Sequence, residues 1–211
     1  MTEATNSWPG SRVFLLSPAY AGGKRAQMMV NEGAQFDLAR RLRGEDLPSL
    51  GEVFAFLSGL YFRGKLAYAT AFAPRESVLV ITPNRGLLPA HRPIALADLR
   101  AFAEVDIDAD DPRYRRPLER DVRRLSRALP RGTQVVLLGS IATGKYVDVL
   151  LREFGERLVF PAEFVGRGDM SRGGLLLRCA VDGCELAYVP VHGAVRKGKR
   201  PPKLEPRKYT K

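Results

Sequence analysis

Apolar residues in this chain alternate between short continuous runs and stretches with helical spacing. Arg12–Leu16 (RVFLL), Ser77–Thr82 (SVLVIT), Gln134–Leu138 (QVVLL) and Arg157–Phe160 (RLVF) have the pattern of strands buried on both faces. Lys24 opens a helical segment that reaches about Arg43, with Gly44 as its stop. Ser49-Leu50-Gly51-Glu52 reads as a capping box. The stretch it starts is apolar nearly all round to about Phe72, and Gly59 and Gly64 interrupt it, giving two helices or one bent helix. Asp111-Pro112 is a strong helix start, and Tyr114, Leu118, Val122, Leu125 and Leu129 mark one face of the helix that follows, which ends at Pro130 and Gly132. Val147, Leu150, Leu151 and Phe154 mark another helix. In the less regular stretch 88–111, Ile94–Leu96 reads as a short strand and Asp98–Ala103 as a helical turn. Leu175–Ala180 and Glu185–Val191 close the domain as a hairpin or a helix–strand pair. Strands alternating with helices predict an α/β fold, a three-layer sandwich around a mainly parallel sheet.

Composition fits one domain. The chain has 211 residues with 45% hydrophobic residues, enough for a sizeable core. Three regions are expected: a disordered N-terminus at 1–11, the α/β domain at 12–195, and a flexible basic tail at 196–211. No apolar run is long enough to span a membrane, and the N-terminus has no basic segment followed by an apolar one, so a cytoplasmic protein with no membrane partner is expected. Cys179 and Cys184 flank Asp182-Gly183 and read as two reduced, partly buried thiols. Only two histidines exist, neither near that pair, so no metal site and no cofactor is expected.

Charge changes the picture more. The formal net charge is +11, a balance that favours a polyanionic partner, nucleic acid first. His192–Lys211 alone holds eight Lys and Arg against one acid. Within it, Arg196, Lys197, Lys199, Arg200, Lys203, Arg207 and Lys208 form the candidate nucleic-acid-binding set, because basic residues neutralise phosphates irrespective of base sequence. The other faces of the helix after Pro112 carry Arg115, Arg116, Arg120, Arg123, Arg124 and Arg127.

The most informative stretch is Gln134–Phe154. Gly139-Ser-Ile-Ala-Thr-Gly144-Lys145 matches the phosphate-cradling pattern G-x-x-x-x-G-K-[ST] except at the last position, where Tyr146 stands. A strand turning through glycines into a helix aims free N–H groups and the helix dipole at one point. Tyr146 cannot supply the Mg²⁺-binding hydroxyl, so the segment reads as a phosphate site that does not hydrolyse nucleotides. The plainer alternative is a strand-to-helix turn with Thr143 as N-cap. Outside the tail only three lysines remain, Lys24, Lys65 and Lys145, and each follows a glycine. Lys24 and Lys145 sit where a strand hands over to a helix, either bordering one anion pocket or standing as exposed helix-start lysines. The candidate phosphate-binding residues are Gly22, Gly23 and Lys24, then Gly139, Ser140, Thr143, Gly144 and Lys145, with Arg167 from a glycine- and arginine-rich segment. His192, at a strand end, and Asp169 are the candidate catalytic pair, each with a structural alternative: His192 as a solvent-facing side chain and Asp169 as a helix cap.

Two segments carry a resemblance. Leu60-Tyr-Phe-Arg-Gly-Lys-Leu-Ala-Tyr-Ala69 followed by Val78-Leu-Val-Ile-Thr-Pro-Asn-Arg-Gly-Leu-Leu-Pro89 resembles the YaaA-like group and its relatives. The family has a Cys-Ser-x-x-Lys-like segment after its first strand, where this chain has Ser17-Pro18-Ala19-Tyr20, and Thr82-Pro83 stands for its Ser-Ala. The resemblance implies a fold similar to the uracil-DNA glycosylase-like α/β sandwich and an association with nucleic acid or nucleobases. It maps Ser17, Thr82, Asn84, Gly86 and Gly139 to the loops around the family's cleft.

These readings converge on a nucleic-acid-associated protein with a phosphate- or nucleobase-binding cleft, acting on a base or nucleoside as a glycosylase-like hydrolase. An enzyme on a free nucleotide or phosphorylated small molecule and a non-catalytic DNA- or RNA-binding protein are the alternatives. The sequence assigns no oligomeric state.

Overall fold

A computed structural model describes residues 12–142, 144–196 and 198–205. The expected disorder at 1–11 and the candidate residues Thr143, Lys197, Arg207 and Lys208 lie outside the described residues.

The fold is α/β. Six strands form one mixed sheet in the order β3-β2-β1-β4-β5-β6: β1 (Arg12–Leu16), β2 (Val78–Ile81), β3 (Leu87–Pro89), β4 (Gln134–Leu138), β5 (Leu158–Pro161) and β6 (Tyr188–Pro190). β2, β1, β4 and β5 run parallel, and the short edge strands β3 and β6 are antiparallel. The four parallel strands are buried at nearly every position, which is why their sequences read as unbroken apolar runs. β3 was missed because three half-buried residues ending in Pro89 carry too little pattern.

Eight α-helices lie among the described residues: α1 (Lys24–Val30), α2 (Asp37–Arg41), α3 (Leu50–Ser58), α4 (Leu60–Phe72), α5 (Leu96–Ala103), α6 (Pro112–Ala128), α7 (Gly144–Phe154) and α8 (Asp169–Asp182). The capping box at the start of α3 is present, with the Glu52 amide donating to Ser49 Oγ and the Ser49 amide donating to the Glu52 carboxylate. Gly59 separates α3 from α4 by taking φ +67°, a left-handed value that a side chain resists. The five residues expected on the inner face of α6, Tyr114 to Leu129, are all buried.

Four expectations are corrected. The segment from Lys24 to Arg43 is two short helices, because Asn31 ends α1 and its Oδ1 accepts the Gly33 amide in a turn. Gly64 does not interrupt α4; it is buried mid-helix against Gly173 of α8. Ile94–Leu96 is not a strand: the Ile94 amide donates to the Pro48 carbonyl, and Leu96 already begins the eight-residue helix α5. Cys184 is exposed rather than partly buried, Cys179 is half-buried, and no disulfide joins them.

α3, α4 and α8 pack together, and α6 packs against α7. No described helix is long and apolar enough to cross a membrane.

The strand order sets where a ligand can enter. From β1 the chain moves to β2 on one side, and later returns to β4 on the other side of β1 before continuing to β5. β1 and β4 therefore flank the topological switch point, the place where open α/β sheets generally bind ligands, beyond the carboxyl ends of their strands.

Candidate functional site

Ser17 directly follows β1, and Gly139 directly follows β4. The Ser17 amide donates to the Leu138 carbonyl at 3.1 Å, extending the β1–β4 pairing one step to the switch point. Gly139 packs on Ser17 so closely that a methyl group there would stand 2.7 Å from Ser17 Cβ and 2.9 Å from the Tyr146 hydroxyl. Only glycine allows β4 to end against Ser17 in this way.

Beneath this contact is Lys65. It comes from α4, where Tyr61, Phe62, Lys65, Tyr68 and Ala69 form the buried face. Its side chain is 1% exposed. Nζ donates to the Ser17 carbonyl at 2.7 Å and to Ser17 Oγ at 2.8 Å. It also lies over the rings of Tyr61 and Phe62, at 4.7 and 4.5 Å from their centroids. Burial pulls the lysine down to about 7, and Asp169 pushes weakly the other way. Among the described residues Lys65 has no ion pair, an unusual state for a buried ammonium.

Tyrosines close the site. The Tyr146 hydroxyl donates to the Ser140 carbonyl at 2.9 Å. Burial pushes it up to about 12, with hydrogen bonding to Ser17 and Ser140 working against that rise. The Tyr61 hydroxyl is buried without a hydrogen-bond partner among the described residues, and burial raises it strongly while the Arg172 charge opposes the rise. Arg172 itself donates to the Phe164 carbonyl at 2.9 and 3.2 Å and sits 3.8 Å from Asp169.

The predicted residues therefore separate into groups. Ser17, Gly139 and Ser140 come together around Lys65 and Tyr146. Lys24 and Lys145 are exposed at the first turns of α1 and α7, the helices that follow β1 and β4. Gly22 lies beneath the Tyr20 ring, and Gly23 is the N-cap of α1. Gly144 abuts the Asp148 carboxylate.

Thr82, Asn84 and Gly86 form the β2–β3 turn. Thr82 Oγ1 donates to the Gly86 carbonyl at 2.9 Å, Asn84 Nδ2 donates to the Ala101 carbonyl at 2.6 Å, and Gly86 has φ +64° against Pro117 and Asp121 of α6. The side-chain donors of Thr82 and Asn84 are engaged with the fold's own backbone.

Asp169 is the first residue of α8, largely exposed, and His192 is exposed beyond β6. No described contact joins these two. Arg167 reaches Ser171 Oγ at 3.2 Å and the Pro202 carbonyl at 3.3 Å. The segment around Pro202 lies against the domain, with the Lys199 carbonyl over Gly166 and Leu204 beside Gly174. Arg196, Lys199, Arg200 and Lys203 are exposed along it.

Sequence reasoning singled out Lys65 as one of three glycine–lysine steps but left it outside the site, and it read Tyr146 only as a defect in a phosphate loop. The usable signal was a lone lysine in a helix otherwise apolar nearly all round.

A second feature is the outer face of α6. Arg116, Arg120, Arg123, Arg124 and Arg127 line a shallow groove of about 440 Å³ together with Glu119. Arg120 pairs with Asp121 at 2.8 Å and Arg123 with Glu153 at 3.6 Å. Arg116, Arg124 and Arg127 have no ion pair among the described residues and are exposed.

No protein-family model, curated protein sequence or solved structure matches the chain.

Proposed function

We propose that this chain is a nucleic-acid-associated protein of the cytoplasm, a three-layer α/β sandwich that holds a phosphate backbone on α6 and its basic tail. The crevice at the β1–β4 switch point takes a phosphate or nucleobase. The observation that carries this reading is the arginine row of α6. Arg116, Arg120, Arg123, Arg124 and Arg127 recur at helical spacing on one face, and the eleven-step rise from Arg116 to Arg127 spans about 16 Å. That length meets several successive phosphates, and arginine's planar fork suits phosphate oxygens. The base-directed part of the reading rests on the YaaA-like resemblance of Leu60–Ala69 and Val78–Pro89.

A second reading is an enzyme on a free nucleotide or phosphorylated small molecule. It is favoured by Lys24 and Lys145, exposed at the starts of the helices that follow the two central strands.

The test is binding of short single- and double-stranded DNA and RNA across a salt series. Arg116→Gln, Arg124→Gln and Arg127→Gln together should weaken binding at least tenfold and flatten the logarithmic salt dependence by about 2 to 3, because each arginine neutralises about one phosphate. Unchanged affinity and slope in that variant would sink the reading. Removing 196–211 separates the tail's contribution, and binding of a free nucleotide alone favours the second reading.

A further inference from the structure

The position of Lys65 is explained by neither nucleic-acid binding nor core packing. An isolated buried ammonium is costly, and a methionine would fill the same space without a charge. What the fold obtains is an amine nitrogen 2.8 Å from a serine hydroxyl at the carboxyl end of a central strand. The second hydrogen bond, to the Ser17 carbonyl, fixes that nitrogen in place. The titratable and charged groups bearing on the pair are Asp169 and Arg172 from α8, Tyr61 from α4 and Tyr146 from α7. None is within ion-pairing distance of Nζ among the described residues. With the lysine held near 7 by burial, a large fraction is free amine at neutral pH. Ser17 keeps 7% exposure at the carboxyl end of β1, with the Cα of Gly139 packed directly against it.

We propose that Ser17 and Lys65 form a nucleophile–base pair that hydrolyses an acyl ester bound at the β1–β4 switch point. The Lys65 amine takes the Oγ proton as Oγ attacks the carbonyl carbon. The tetrahedral intermediate collapses, its C–O bond to the leaving alcohol breaks, and Lys65 returns its proton to that oxygen. Water then attacks the acyl-serine with Lys65 again as base, releasing a carboxylic acid and restoring Ser17. Ester and water become acid and alcohol, with no net change in the protein. Acyl chemistry fits better than phosphoryl transfer on charge. A tetrahedral acyl intermediate carries one negative charge, which the single ammonium of protonated Lys65 balances, whereas a phosphoryl group in transfer spreads more charge over three oxygens.

The test treats the whole chain with p-nitrophenyl acetate and, separately, with a fluorophosphonate, and maps adducts by mass spectrometry. Ser17 should be labelled, with a rate that climbs through pH 7 and levels above pH 8. Ser17→Ala should abolish labelling, and Lys65→Met should slow it about a hundredfold or more. The α6 arginine variant should label at the wild-type rate, which separates this pair from the nucleic-acid surface. Should Lys65→Met fail to fold, Ser17→Cys decides. With Lys65 beside it, the introduced thiol should react with iodoacetamide along a pH profile centred clearly below the ordinary thiol value of about 8.5. Folded wild-type protein that gives no Ser17 adduct with either reagent at pH 8.5 overturns the proposal, as does an introduced thiol with an ordinary profile.

Discussion

Gly64 of α4 and Gly173 of α8 meet backbone to backbone. A methyl group on Gly64 would stand 2.5 Å from the Gly173 carbonyl oxygen, and one on Gly173 would stand 2.7 Å from the Leu60 carbonyl oxygen. The pair lets the two helices touch at closest approach, and the next residue along α4 is Lys65. Gly64→Ala must push backbone against backbone, which no rotamer change relieves. Despite alanine's better helix propensity it should lower unfolding free energy by about 1–3 kcal/mol in urea titration. Gly132→Ala, where nothing lies within 4 Å, should change it by less than about 0.5 kcal/mol.

Lys65 makes stability depend on pH in a stated direction. Its folded value of about 7 lies below the ordinary 10.5, so between those values the unfolded chain binds more protons at this site than the folded one. Stability from this group therefore rises as pH increases from about 7 toward 10.5, and the full penalty of the buried ammonium is felt below 7. Urea titrations of wild type and Lys65→Met at pH 6 and pH 9 should show the variant's relative advantage shrinking by a few kcal/mol at the higher pH. A difference independent of pH would show that the lysine ionises in the folded protein as it does in water.

Ser49 closes a reciprocal cap at the start of α3, accepting the Glu52 amide at 3.2 Å while Glu52 accepts the Ser49 amide at 2.7 Å. Ser49→Ala should cost about 1 kcal/mol in the same titration. Strand and helix content by circular dichroism should stay unchanged, since α3 remains buried along Leu50, Val53 and Phe54.

The chain after β6 is tied down at Gly166, which has φ +74° and carries the Lys199 carbonyl directly over its Cα. Gly166→Ala strains the backbone and collides with that carbonyl, where a methyl would stand only 2.1 Å away. Trypsin cleavage after Lys199 and Lys203 should then run several-fold faster than in wild type, by timed mass spectrometry, while the domain core stays resistant.

The parallel strands, the face of α6 and the α3 cap were legible in the residues because each depends on neighbours a few positions away: an apolar run, a 3.6-residue period, a serine three before a glutamate. β3 and the α1–α2 break were not. Three edge residues and a turn at Asn31 carry less local preference than the packing that selects them.

The same division runs through the site. From the sequence alone came the α/β class, Ser17 and Gly139 as the loop residues that follow two apolar strands, and the arginine-rich helix. Only the tertiary structure joined Ser17 to Lys65, 48 positions away. That pairing needs β1 beside β4, α4 seated over β1, and α8 pressed against Gly64. A buried lysine acquires its chemistry from the solvent it loses, and which groups exclude that solvent is decided only when distant segments pack.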